Sequence, residues 1–79
     1  MLLNDTQALE KAKLIIKNAG KPAIITEYFW IEDDEGPEGD VFCYYVKFDG
    51  SEDVTIPGVD FPLFTRNGEI TDLALLPTV

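Results

Sequence analysis

The run AIITEYFWIEDDEGPEGDVFCYYVKF, residues 23–48, decides the architecture. Its two ends, AIITEYFWIE (23–32) and VFCYYVKF (41–48), are rich in β-branched and aromatic residues, the types that fit a pleated and half-buried surface. Between them DDEGPEGD (33–40) concentrates two glycines, a proline and five carboxylates, a composition that breaks regular structure. The stretch therefore predicts a hairpin with an acidic tip.

Upstream the periodicity changes. Ala8, Leu9, Ala12, Ile15, Ile16 and Ala19 recur at helical spacing and form one apolar stripe. Asn4 followed by Gln7 is a capping-box pattern, and Leu3 and Ala8 occupy the staple positions. Gly20 suits the left-handed residue after the helix, and Pro22 prevents continuation. Downstream, Asp49–Gly50 signals a two-residue turn into DVTI (53–56), which Pro57–Gly58 ends. FPLFTR (61–66), Asn67–Gly68 and EITDLALL (69–76) then predict a second tight hairpin, with Arg66 and Glu69 paired across it. The expected fold is α+β within a single domain, 1–79: one N-terminal helix packed on a four- to five-stranded antiparallel β-meander.

Strand residues alternate sides, so each strand can be sorted by parity. The first strand places Ile25, Glu27, Phe29 and Ile31 on one side and Ile24, Thr26, Tyr28 and Trp30 on the other. The second places Phe42, Tyr44, Val46 and Phe48 opposite Val41, Cys43 and Tyr45. A two-residue turn at Asp49–Gly50 would set Lys47 against Glu52, Tyr45 against Val54 and Cys43 against Ile56. Both faces are thus apolar, yet one helix of about 15 residues, roughly 22 Å long, can cover only one. An uncovered aromatic face ordinarily means an interface. The expected contact surface is Tyr28, Trp30 and Tyr45, rimmed by Asp33, Asp34, Glu35, Glu38 and Asp40.

Composition narrows the chemistry. Residues 1–22 carry Lys11, Lys13, Lys17 and Lys21 against Asp5 and Glu10, a net of +2. Residues 23–79 carry Lys47 and Arg66 against thirteen acids, a net of −11. That balance disfavours direct contact with nucleic-acid phosphates or anionic membranes and leaves room for a basic protein. One cysteine, Cys43, excludes an internal disulfide and suits a reducing compartment, so the expected location is the cytoplasm. No apolar run approaches the roughly 20 residues of a spanning helix.

Without histidine, neither Ser/His nor Cys/His nucleophile pairs can be built. Ser51 follows a turn glycine, and Cys43 sits mid-strand between bulky neighbours, where a buried thiol is usually inert. The acidic tip lacks the alternate-position spacing of an EF-hand. These features predict no catalytic residues, no metal site and no cofactor.

FPLFTRNGEITDLALL (61–76) loosely resembles the last hairpin of NTF2-like and SnoaL-like domains, and one helix under an antiparallel sheet is similar to the cystatin layout. The first resemblance covers 16 residues and implies a pocket-binding role. No catalytic residue of those families and no cystatin inhibitory loop has a counterpart here. The expected function is that of a small acidic, non-catalytic protein-binding module, a regulator or inhibitor acting on a protein partner or on itself as a homodimer. The alternatives are an acidic nucleic-acid mimic that inhibits a DNA- or RNA-handling protein, and a small-molecule module with an apolar pocket lined by Trp30, Tyr28 and Phe64.

Overall fold

A computed structural model of the chain describes residues 2–20 and 22–71. It contains one α-helix, α1 (Asp5–Asn18), followed by strands β1 (Ala23–Ile31), β2 (Val41–Phe48), β3 (Leu63–Thr65) and β4 (Ile70–Thr71). The strands form one antiparallel sheet in sequence order, β1-β2-β3-β4, and a short 3-10 turn, Pro37–Gly39, lies in the acidic loop.

Helix α1 begins where its capping box forms. The Asn4 side chain accepts from the Gln7 backbone N–H at 2.8 Å, and the Asn4 N–H donates to Gln7 Oε1 at 3.0 Å. It ends at Ala19, and Gly20 turns the chain with φ +75°. Ala8, Ala12 and Ile16 are the buried face of the helix, and their small size brings it close to the sheet. Leu9 and Ile15 flank that face, while Leu14 points to solvent.

The core centres on Phe42, whose ring meets those of Tyr28, Trp30, Tyr44 and Phe64 at centroid distances of 5.4, 4.9, 5.9 and 5.4 Å. These rings come from β1, β2 and β3, so one aromatic cluster joins three strands. The Tyr44 hydroxyl donates to the Pro62 carbonyl at 2.6 Å, and Lys11 Nζ lies 5.5 Å from the Phe64 ring centre.

A bulge corrects the expected facing of β1. Ala23 pairs with Phe48 and Ile25 with Val46, but the next pair is Glu27 with Tyr45, leaving Thr26 as the extra residue. One added residue reverses the phase of everything before it relative to everything after. Ile25, Tyr28 and Trp30 therefore share the α1 side with Phe42, Tyr44 and Val46. Ile24, Glu27, Phe29 and Ile31 share the opposite side with Lys47, Tyr45, Cys43 and Val41.

The DVTI segment is not a full strand. It makes one isolated bridge, Lys47 with Val54, two residues out of the expected register. Ser51 Oγ accepts from the Asp53 N–H at 3.2 Å and lengthens the turn beyond two residues. Thr55 then returns one backbone bond to the Val46 carbonyl, but Val46 N–H donates to the Thr55 hydroxyl instead of a carbonyl. Pro57 follows with no N–H to extend a ladder.

The last hairpin has a three-residue loop, Arg66–Gly68, rather than the expected two. Gly68 N–H donates to the Thr65 carbonyl at 2.9 Å, and Gly68 adopts φ +91°, the arrangement of a turn followed by a glycine bulge. Phe64 then pairs with Ile70 and Leu63 with Thr71. Residues 72–76 of the expected final strand lie outside the described residues.

This loop redirects Arg66. It does not pair with Glu69; its guanidinium carbon lies 3.8 Å from the Trp30 ring centre, and its Nε is 3.2 Å from Asp40 Oδ2. Arg66 also donates from Nη1 to the Leu3 carbonyl, and Trp30 Nε1 donates to Asp5 Oδ1 at 2.8 Å. The N-terminus of α1, the end of β1, the acidic loop and the last hairpin meet at this stacked cation.

Replacing Arg66 with alanine strands the buried Asp40 carboxylate and should cost about 3 kcal/mol. Arg66→Lys should cost about 1 kcal/mol, because an ammonium keeps the charge but cannot stack and fork at once. Urea denaturation of both variants checks the order; equal stability of Arg66→Ala and the parent chain would exclude the role given to this cluster.

Candidate functional site

The aromatics Tyr28, Trp30 and Tyr45 do not form one surface. Tyr28 and Trp30 stand on the α1 side, where Trp30 is half-buried beneath Arg66, whereas Tyr45 belongs to the opposite face. The physical reason is the β1–β2 register: Glu27 pairs with Tyr45 and Tyr28 with Tyr44, so Tyr28 and Tyr45 alternate to opposite sides.

The acidic tip also divides into two roles. Asp40 is buried and accepts the Asp33 backbone N–H at 3.0 Å through one oxygen while holding Arg66 through the other. Asp33 Oδ1 in turn accepts the Glu35 N–H at 3.3 Å. Asp33 and Asp40 thus shape the loop from within, and Asp34, Glu35 and Glu38 remain exposed to solvent. Among the described residues, Asp40 with Arg66 is the sole ion pair, and no group of three or more His, Cys, Asp or Glu side chains gathers as a metal ion would require.

The face opposite α1 is covered in one part and open in another. Val41, Cys43 and Leu63 are buried there. Toward β1 the cover stops: Ile24 is 65% exposed, Phe29 43% and Val54 49%. Ile24, Lys47 and Val54 form one cross-strand row, and the rings of Phe29 and Tyr45 lie 6.3 Å apart farther along the same face. Sequence reasoning assigned Ile24 and Phe29 to different sides and so missed this grouping. The one usable signal was Thr26, a polar residue interrupting an apolar run at the point where the bulge forms.

A second feature lies along the outer edge of β1. A groove of about 750 Å³ opens between that strand and α1, lined by Leu9, Lys13, Ile16 and Lys17 from the helix and by residues 22–28 of the strand side, Ile24, Ile25, Glu27 and Tyr28 among them. Phe64 and Trp30, the other two residues expected to line a helix–sheet pocket, do not border it. They are committed to the ring cluster around Phe42.

Cys43 and Tyr44 are turned inward. Burial pushes the Cys43 thiol above its ordinary range, which disfavours the reactive thiolate. Burial likewise raises the Tyr44 phenol to about 12. Ser51 is taken up by the turn before Asp53.

Compared with known proteins, the chain matches no family model, no curated protein and no solved structure. Among the described residues, no helix is long and apolar enough to cross a membrane.

Two chemical measurements follow. Cys43 should alkylate slowly under native conditions and rapidly in denaturant; fast native labelling would contradict its burial. Because the folded Tyr44 binds its proton more tightly than the unfolded one, it contributes stability that is complete below pH ~10 and lost as pH rises through about 12. Tyr44→Phe should lower neutral-pH stability by about 1 kcal/mol through the lost bond to Pro62, and should flatten this alkaline decline.

Proposed function

We propose that this chain is a small, acidic, non-catalytic module that regulates or inhibits another protein by direct contact through the face opposite α1. The observation that supports the reading is the grouping of Ile24, Phe29 and Val54, exposed apolar side chains around Tyr45 and Lys47 on one sheet face. Single exposed apolar residues are ordinary on any surface, but a set sharing one side of a sheet offers a continuous area whose burial would favour association. A buried thiol and a chain without histidine favour binding over catalysis.

The partner suited to this surface carries an apolar patch with basic groups around it. The exposed Asp34, Glu35 and Glu38 at the loop and Glu52 and Asp53 beside Val54 would steer a basic protein, and salt would weaken that encounter. The same exposed carboxylates support a second reading, in which the chain occupies the basic groove of a DNA- or RNA-handling protein as a mimic of phosphate. In that case the loop carboxylates, rather than Phe29, would carry the contact.

Affinity capture with the parent chain, Phe29→Glu, and a triple Asp34→Asn, Glu35→Gln, Glu38→Gln variant separates these readings. Loss of a parent-specific partner with Phe29→Glu supports the apolar face; loss only with the triple variant supports the mimic. Sedimentation at high concentration adds the homodimer: a dimer that Phe29→Glu dissociates identifies the partner as a second copy. A partner and a sedimentation profile unaffected by either variant would overturn the proposal.

A further inference from the structure

The geometry points to the α1–β1 groove as the binding site for an extended acidic segment of a partner protein, added as a further strand at the free edge of β1. Strand β1 is the outermost in the sheet, and its nine residues pair on one side only among the described residues. Unpaired main-chain donors and acceptors along a sheet edge are a template for another strand, which edges usually blunt with lysine, proline or a bulge. This edge has neither proline nor lysine within β1, and its one irregularity is the bulge at Thr26.

The helix supplies the second half of the site. Trp30 Nε1 bonds to Asp5 at the start of α1, and the end of α1 runs through Gly20 back to Ala23, so helix and strand lie alongside each other in opposite directions. Leu9, Lys13 and Lys17 fall at four-residue intervals on the side of α1 that borders the groove. Four residues of helix rise about 6 Å, and alternate residues of a strand are about 6.7 Å apart. A strand laid against β1 would therefore present every second side chain to successive members of that helical row. An apolar side chain would meet Leu9, and the next two on the same side would meet Lys13 and Lys17, with Ile16 between those lysines on the groove wall.

Charge selects the chemistry. Lys13 and Lys17 are exposed and, among the described residues, hold no carboxylate. They stand on the one basic segment of a chain whose remainder carries a net of −11; with Glu27 as the one acid of the groove lining, the groove keeps a net of +1, which favours an acidic segment here over the rest of the surface. The same −9 net charge per chain opposes a second copy docking its own β1 at this place. The free edge favours a peptide over an anionic amphiphile, because only a peptide can satisfy the exposed main-chain groups while its side chains enter the groove.

This inference rests on the reading of the chain as a protein-binding module, but its lysines lie on α1 and not on the face of Phe29 and Val54, so the two can fail separately although Ile24 borders both. The probe is a fluorescein-labelled peptide in which threonine alternates with valine and glutamate, the glutamates placed at two successive same-side positions. Anisotropy should detect binding, and a peptide with lysine for glutamate should bind at least roughly tenfold more weakly. The Lys13→Glu, Lys17→Glu double variant, both changes at exposed positions on the groove wall, should reverse that preference, whereas Lys13→Gln, Lys17→Gln should abolish it. Hydrogen exchange should slow at β1 amides when the acidic peptide is added. No binding, binding indifferent to the lysine changes, or binding without protection of β1 would overturn the inference. Decanoate displacing the peptide while leaving β1 amides unprotected would assign the groove to an amphiphile, and concentration-dependent protection of β1 without peptide would assign it to a second copy; either outcome overturns it too.

Discussion

The ring of Phe42 is fully enclosed, and what encloses it determines how the remaining parts meet. Tyr28 and Trp30 approach from β1, Tyr44 from β2 itself and Phe64 from β3, so the sheet is joined across its strands by side chains as well as by its ladders. Aromatic pairs of this kind contribute beyond the area they bury, by about 0.5–1.5 kcal/mol each. Trp30 extends the cluster outward: its indole bonds to the first turn of α1, and its face carries Arg66, which holds Asp40, which caps Asp33. Order thus passes from an apolar centre through one stacked cation to an acidic loop that its own composition would leave loose.

The bulge in β1 is the local feature with the widest consequence. Without it Ile25 would not share a side with Tyr28 and Trp30. With it, Ile25 joins Trp30 against the core while Tyr28 stays 38% exposed at its rim, and Phe29 lies on the opposite face, where Cys43 beside it is buried but Phe29 itself is not. The same extra residue places Ile24 on the side of Phe29. Packing and surface chemistry are here two results of one change of phase.

Strand β1 is also where the two candidate contact regions meet. Its outward face bears Ile24 and Phe29, and its outer edge borders the groove below Lys13 and Lys17. Charge is segregated between them, basic along α1 and acidic beyond it. Cys43 is withdrawn into the core and Ser51 is held in its turn.

The amino-acid sequence alone determined the elements whose causes are local. The Asn4–Gln7 box and Gly20 bound the helix, its stripe of Ala8, Ala12 and Ile16 faces the sheet, and the antiparallel meander follows from strands separated by short turns. Turn lengths were less legible, because Ser51 and Gly68 each added residues through hydrogen bonds that the Asp–Gly and Asn–Gly signals do not encode. The sides taken by Tyr28, Trp30 and Phe29, and the partners of Arg66 and Asp40, were decided only by tertiary structure. Alternation is a rule of one strand in isolation, and a bulge obeys the neighbouring strand instead. An ion pair that spans residues 40 and 66 likewise depends on where the whole sheet brings them, which no spacing within a single element records.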